Sequence, residues 1–169
     1  YYYGTSTVRN TTSYFYGTGM VAACSAGVDE AMSLAKTYRG NNKSDPASTL
    51  QSETFYGIQY GKGDETADYT FNYANGGTAR TSKTYFYYGT VEGSNGVRAS
   101  AAGLSELMVR SVNAKWDPST NTESSKKADT YYSVRDNEGN LRIKGDEVAD
   151  YTYNYSPNGQ YIASTTVNY

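Results

Sequence analysis

Two stretches of this chain alternate aromatic and polar residues. Between Ala67 and Tyr73, the aromatics Tyr69, Phe71 and Tyr73 interleave with Asp68, Thr70 and Asn72, and Tyr151, Tyr153 and Tyr155 repeat the arrangement with Thr152 and Asn154 between them. A period of two is the signature of a strand with one aromatic and one polar face. Each stretch runs into a turn signal, Asn75-Gly76-Gly77 or Ser156-Pro157-Asn158-Gly159, and then into a second run, Thr81 to Tyr88 or Tyr161 to Tyr169. Both read as β-hairpins. A further hairpin is predicted where Thr130 to Arg135 and Leu141 to Lys144 flank Asp136-Asn137-Glu138-Gly139-Asn140.

Two Ala-rich stretches carry a different period. Val28, Ala31, Met32 and Ala35 fall at i, i+3, i+4 and i+7, and Leu104, Leu107, Met108 and Val112 at i, i+3, i+4 and i+8. That spacing predicts two short amphipathic helices, near Ala23 to Lys36 and Ser100 to Ala114, each packed on the sheet. Gly27 and Gly103 each weaken a helix by about 1 kcal/mol relative to alanine, so both helices depend on tertiary packing. Cys24, the single cysteine, reads as a small apolar filler in the first of them.

The chain says nearly the same thing twice. Tyr14-Phe15-Tyr16-Gly17, Asp45-Pro46, Thr54-Phe55-Tyr56, Lys62-Gly63-Asp64-Glu65 and Ala67 to Tyr73 recur in order as Tyr85-Phe86-Tyr87-Tyr88-Gly89, Asp117-Pro118, Thr130-Tyr131-Tyr132, Lys144-Gly145-Asp146-Glu147 and Ala149 to Tyr155. The predicted fold is mainly β with the two helices, in a tandem repeat of about 70–80 residues built of antiparallel hairpins. Residues 1–10 read as the end of a preceding repeat or an edge strand, 11–82 as the first repeat unit and 83–169 as the second. The ends look like cuts through a periodic pattern, in a longer array or in a subunit continued by its neighbours.

Composition sharpens this. Twenty tyrosines stand against four phenylalanines and one tryptophan, and tyrosine suits thin sheets because its ring buries apolar area while its hydroxyl stays hydrogen-bonded. Tyr14, Tyr16, Tyr69, Phe71, Tyr73, Tyr85, Tyr87, Tyr151, Tyr153, Tyr155 and Tyr169 are the candidate packing and assembly residues. A net charge of -2 supplies no basic footprint for nucleic acid, and no apolar run approaches the roughly 18 residues of a membrane span. With no histidine, His-based triads and most zinc sites are excluded. The chain reads as a non-enzyme.

The repeated polar cluster is Asp64, Glu65 and Asp68, matched by Asp146, Glu147 and Asp150. Three carboxylates beside a glycine turn are candidate ligands for Ca²⁺, which takes six to eight oxygens at about 2.3–2.6 Å. A solvated turn neutralised by Lys62 or Lys144 is the simpler reading. No other cofactor is expected. Asn10, Asn42 and Asn154 open glycosylation sequons.

Tyr69 to Gly77, Tyr151 to Gly159 and Tyr132 to Leu141 resemble the YD-repeat pattern of the Rhs family, approximately Tyr-x-Tyr-Asp-x-x-Gly-x-Leu with the glycine in a hairpin turn. The likeness covers about a third of the chain. The chain departs from it in having Asn72 and Asn154 where aspartate is usual, and in the stretches between. The resemblance implies an extracellular or cell-surface β-rich wall, of the kind that winds into shells or adhesion domains. The expected function is therefore a structural repeat unit of an extracellular fibre, sheath or shell, assembled by strand pairing and tyrosine packing with copies of itself or adjacent repeats. The alternative is an adhesin-like module that presents the polar loops Thr37 to Ser52 and Trp116 to Asp129 to a glycan or protein.

Overall fold

The computed structural model describes residues 8–41 and 49–168. The expected edge strand in residues 1–7, the Asn42 sequon and Tyr169 lie outside them. Among the described residues the chain forms one antiparallel sheet of β1 (Asn10–Tyr16), β2 (Val21–Ala22), β3 (Met32–Arg39), β4 (Leu50–Gly57), β5 (Thr66–Tyr73), β6 (Arg80–Gly89), β7 (Val97–Arg98), β8 (Leu107–Asp117), β9 (Thr122–Ser133), β10 (Val148–Tyr155) and β11 (Ile162–Val167). The spatial order is β11-β10-β9-β8-β6-β5-β4-β3-β1-β2, with β7 added on β6. Long strands therefore follow each other as a meander, and each packs mainly on its sheet neighbours. The repeat is visible in the order: β1 to β5 recur as β6 to β10, and β11 holds the place of β1 and β6.

The Tyr-rich hairpins form as expected. β5 and β6 pair from Tyr69 with Tyr85 to Tyr73 with Arg80, and β10 and β11 from Tyr151 with Val167 to Tyr155 with Ile162. The segment around Asp136 closes as a small turn: Asp136 Oδ1 accepts from the amides of Glu138 and Asn140, both at 2.9 Å, and Arg135 bridges Leu141.

The two amphipathic helices do not exist. Ala23–Ser25 and Ala99–Ala101 are single 3₁₀ turns, residues 26–31 and 102–106 are further turns, and only the C-terminal part of each predicted helix is strand, β3 or β8. The intended apolar anchors Val28 and Leu104 are 82% and 47% exposed. The misleading spacing mixes turn and strand residues, since Leu104 lies in the turn before β8, and a β-bulge adds to it. On β8, Leu107 and Val109 are buried, and so are Val112 and Ala114, but the register against β6 shifts between Tyr87 and Tyr88. An extra residue in a period-two pattern yields spacings of two, three and two, which mimic a helix. The glycines open tight turns instead. Gly27 N–H donates to Glu30 Oε2 and Gly103 N–H to Glu106 Oε2, each at 2.9 Å, while Glu30 and Glu106 return their amides to the glycine carbonyls at 3.2 Å. Cys24 is exposed in its 3₁₀ turn rather than a buried filler.

Candidate assembly surface and seam

Residues opposite one another on neighbouring strands share a face, so the register separates two chemistries. One face carries rings. Phe55 stacks on Tyr69 with centroids 4.7 Å apart, Tyr69 meets Phe71 edge-on at 5.5 Å, and Trp116 meets Phe71 at 5.1 Å. The second copy repeats the arrangement: Tyr131 stacks on Tyr151 at 4.9 Å, and Tyr151 meets Tyr153 at 5.1 Å. Cations lie over both platforms. Lys83 Nζ stands 4.2 Å from the Tyr69 centroid and 4.4 Å from that of Tyr85, and Arg98 4.4 Å from Tyr85. Arg110 stands 5.6 Å from Tyr87, and Lys126 5.0 Å from Tyr155.

The other face is a lattice of hydroxyls and amides. Thr12 bonds Thr37 at 3.1 Å, Thr54 bonds Thr70 at 2.8 Å, Asn113 donates to Thr84 at 2.7 Å, and Thr130 bonds Thr152 at 2.9 Å. Asn154, the sequon residue of β10, donates its amide to Thr166 Oγ1 at 3.3 Å. Asn10 opens β1 and is exposed. Tyr14 is 49% exposed, and Tyr16 lines a cavity with Glu30 and Lys62.

The two copies meet at a seam between β5 and β6. Tyr88 buries its ring against Ala99 and Ala102 and donates its hydroxyl to Ala67 O at 2.6 Å. Burial, followed by the charges of Glu147 and Asp68, pushes that phenol well above its ordinary pKa, so it remains a donor. Arg98, on β7, reaches back to Asp68 with Nη2 at 2.7 Å and Nε at 2.9 Å from Oδ1. Tyr60 donates its hydroxyl to Ala102 O at 2.9 Å.

The acidic clusters act as clamps on the backbone. Glu65 accepts from the amides of Met32 and Gly63 at 2.9 and 3.0 Å, and Glu147 from those of Met108 and Gly145, both at 2.9 Å. Lys62 Nζ donates to Val28 O at 2.7 Å, and Lys144 Nζ to Leu104 O at 3.4 Å and Thr66 Oγ1 at 3.0 Å. Each Lys-Gly-Asp-Glu loop thus grips the entry to β3 or β8 at two points. Asp68 is committed to Arg98, Asp64 and Asp146 are exposed, and the Asp150 carbonyl accepts from Asn168 N–H at 2.8 Å. Among the described residues, no three or more Cys, Asp or Glu side chains are grouped to hold a metal ion.

Burial pushes the Glu65 carboxyl up, but the amides of Met32 and Gly63, with Lys62, outweigh it and hold the group below the usual glutamate range. A depressed folded-state pKa contributes stability that is present at neutral pH and lost as pH falls through the folded value. Glu65→Gln should therefore lower the thermal midpoint at neutral pH, and the gap from the unaltered chain should close in acid below the ordinary glutamate range. A gap that stays constant with pH would exclude the charged clamp.

The densest electrostatic cluster escaped the sequence reading. Asp129, 1% exposed, accepts from Arg110 Nε and Nη2, both at 2.6 Å, and from Lys126 Nζ at 3.1 Å. A lone aspartate at an aromatic-face position of β9 was the available signal, since an unpaired carboxylate there would be costly.

These features define a β-sheet-rich protein with tyrosine-rich aromatic clusters on one face and a hydroxyl lattice on the other. The chain matches no protein-family model, no curated protein and no solved structure. No helix among the described residues is long and apolar enough to cross a membrane.

Proposed function

We propose that the chain is a structural repeat unit of an extracellular fibre, sheath or shell, extended by strand pairing and tyrosine packing. The observation that carries this reading is the recurrence of the strand pairing beside the seam. β11 pairs with β10 as β6 pairs with β5, yet where β6 continues into β8, all six residues of β11 are exposed. Val148, at the position of buried Thr66, is 51% exposed, and Tyr161, Ile162 and Val167 are 63%, 47% and 48% exposed. β11 is uncharged and has no outer partner among the described residues, and a strand in that state is a template for further pairing. The resemblance to YD-repeat walls points the same way.

The test is assembly. In concentrated solution the chain should form filaments visible by electron microscopy, and both Tyr153→Asp and deletion of residues 167–169 should abolish them while the circular dichroism of the sheet persists. Unchanged filaments from both variants would sink the reading. The adhesin-like alternative loses one of its loops, because residues 116–129 are mostly the paired strands β8 and β9; what favours it is the cleft beside Trp116.

A further inference from the structure

One cleft in the sheet holds an arginine fork with no acceptor among the described residues. It encloses about 330 Å³ at the ends of β5, β6 and β8 and is lined by Tyr73, Thr78, Ala79, Arg80, Trp116, Pro118 and Asn121. Arg80 is fixed in place there: its guanidinium lies 3.8 Å from the Phe71 centroid and 5.7 Å from that of Trp116, and Nε donates to Tyr73 Oη at 3.2 Å. Tyr73 in turn donates to Glu53, whose charge faces Lys36 at 3.3 Å. The two Nη groups of Arg80 are left without an acceptor among the described residues. Arg39, Arg98, Arg110 and Arg135 all reach acceptors through their terminal nitrogens; Arg142 also has an unmet donor, a buried Nε.

A second donor in the same wall is also unmet. The Trp116 indole N–H is buried without a partner, and a buried polar group in that state calls for an explanation. The repeat does not supply one, because the register that aligns Met32 with Met108 puts Gly40 where β8 has Trp116. Asn121 presents its amide on the exposed rim from a turn at φ 55°. A planar, pre-positioned fork of donors matches a carboxylate. The remaining amide and hydroxyl groups suit the hydroxyls of a sugar ring, and the volume is at the lower end of the about 300–1,000 Å³ of small-molecule sites.

We propose that this cleft binds a uronate, with the sugar carboxylate on the free edge of Arg80 and ring hydroxyls on the Asn121 rim. The site is separate from the β11 edge and stands whether or not the chain forms filaments. Trp116 is the only tryptophan, so its ¹H–¹⁵N indole resonance is a single, assigned reporter. Titration of the full chain with glucuronate at constant ionic strength should shift that resonance saturably. Acetate should do so about tenfold more weakly, and glucose not at all.

Arg80→Lys keeps the charge and loses the fork, and should weaken glucuronate about tenfold. Asn121→Gly tolerates the turn and deletes the rim amide, and should weaken glucuronate several-fold without affecting acetate. Its exposed position keeps this arm interpretable if Arg80 variants disturb the stack on Phe71. No shift with glucuronate, an equal shift with glucose, an unchanged affinity in Arg80→Lys, or binding of an acidic peptide in place of glucuronate would each overturn the assignment.

Discussion

Asp129→Ala should lower the unfolding free energy by about 3–5 kcal/mol, the usual cost of removing one partner from a buried ion pair. The carboxylate is the meeting point of β8 and β9 and the shared acceptor of Arg110 and Lys126. The hydrogen bond to Asp129, the largest cause, and the Asp129 charge raise the Arg110 pKa against the opposing effect of burial; that support goes with the carboxylate, but a guanidinium is not deprotonated in proteins, so Arg110 stays charged when its partner is gone. With only 14% of its side chain exposed, it is left poorly solvated and unpaired. Arg110→Leu combined with Asp129→Leu should recover most of the loss, because burying two apolar groups avoids the desolvation that the pair offsets. Urea unfolding measures both variants. A loss below about 1 kcal/mol for Asp129→Ala, within the range of ordinary substitutions, would mean that the cluster is solvated in solution.

Tyr88→Ala should cost about 3–5 kcal/mol, as large-to-small changes of buried aromatics do, and the damage should be local to the seam. Tyr88 is 6% exposed and packs on Ala99 and Ala102, with Phe86 and Met108 beside it. Its removal opens a cavity between the copies and strips Ala67 O of its donor. Tyr88→Phe keeps the ring and loses only that hydrogen bond, so it should cost about 1 kcal/mol. Hydrogen exchange supplies the spatial readout: amides of β5 and β6 should lose protection in Tyr88→Ala while those of β9 and β10 retain it. Uniform loss across the sheet would show that the copies unfold as one unit and that the seam is no weaker than the rest.

The hairpins were legible in the sequence because strand period, tyrosine preference and Asn-Gly turns all agree locally. Nothing local revealed the bulge on β8, whose extra residue is defined only by its pairing with β6, and a bulged strand then reads as a helix. The acidic clusters were found as repeats, but their work is non-local. Glu65 reaches an amide 33 residues away and Glu147 one 39 residues away, a distance over which spacing carries no information. The aromatic platforms fell between these cases: which tyrosines share a face followed from alternation, whereas the cations above them, such as Arg98 and Lys83, are brought by neighbouring strands. Asp129 and Arg110 are 19 residues apart and become partners only because β8 and β9 pair.

In the proposed array, the equivalent places of β1, β6 and β11 in the strand order mean that the pairing contains no counter. A unit added to that array after β11 would pair with it as β8 pairs with β6, and in a linear array such additions contribute similar neighbour energies. A structure grown this way has a fixed cross-section but no intrinsic length. Termination of such an array would have to come from a different sequence that covers the last edge, in the way that capping repeats close other linear arrays.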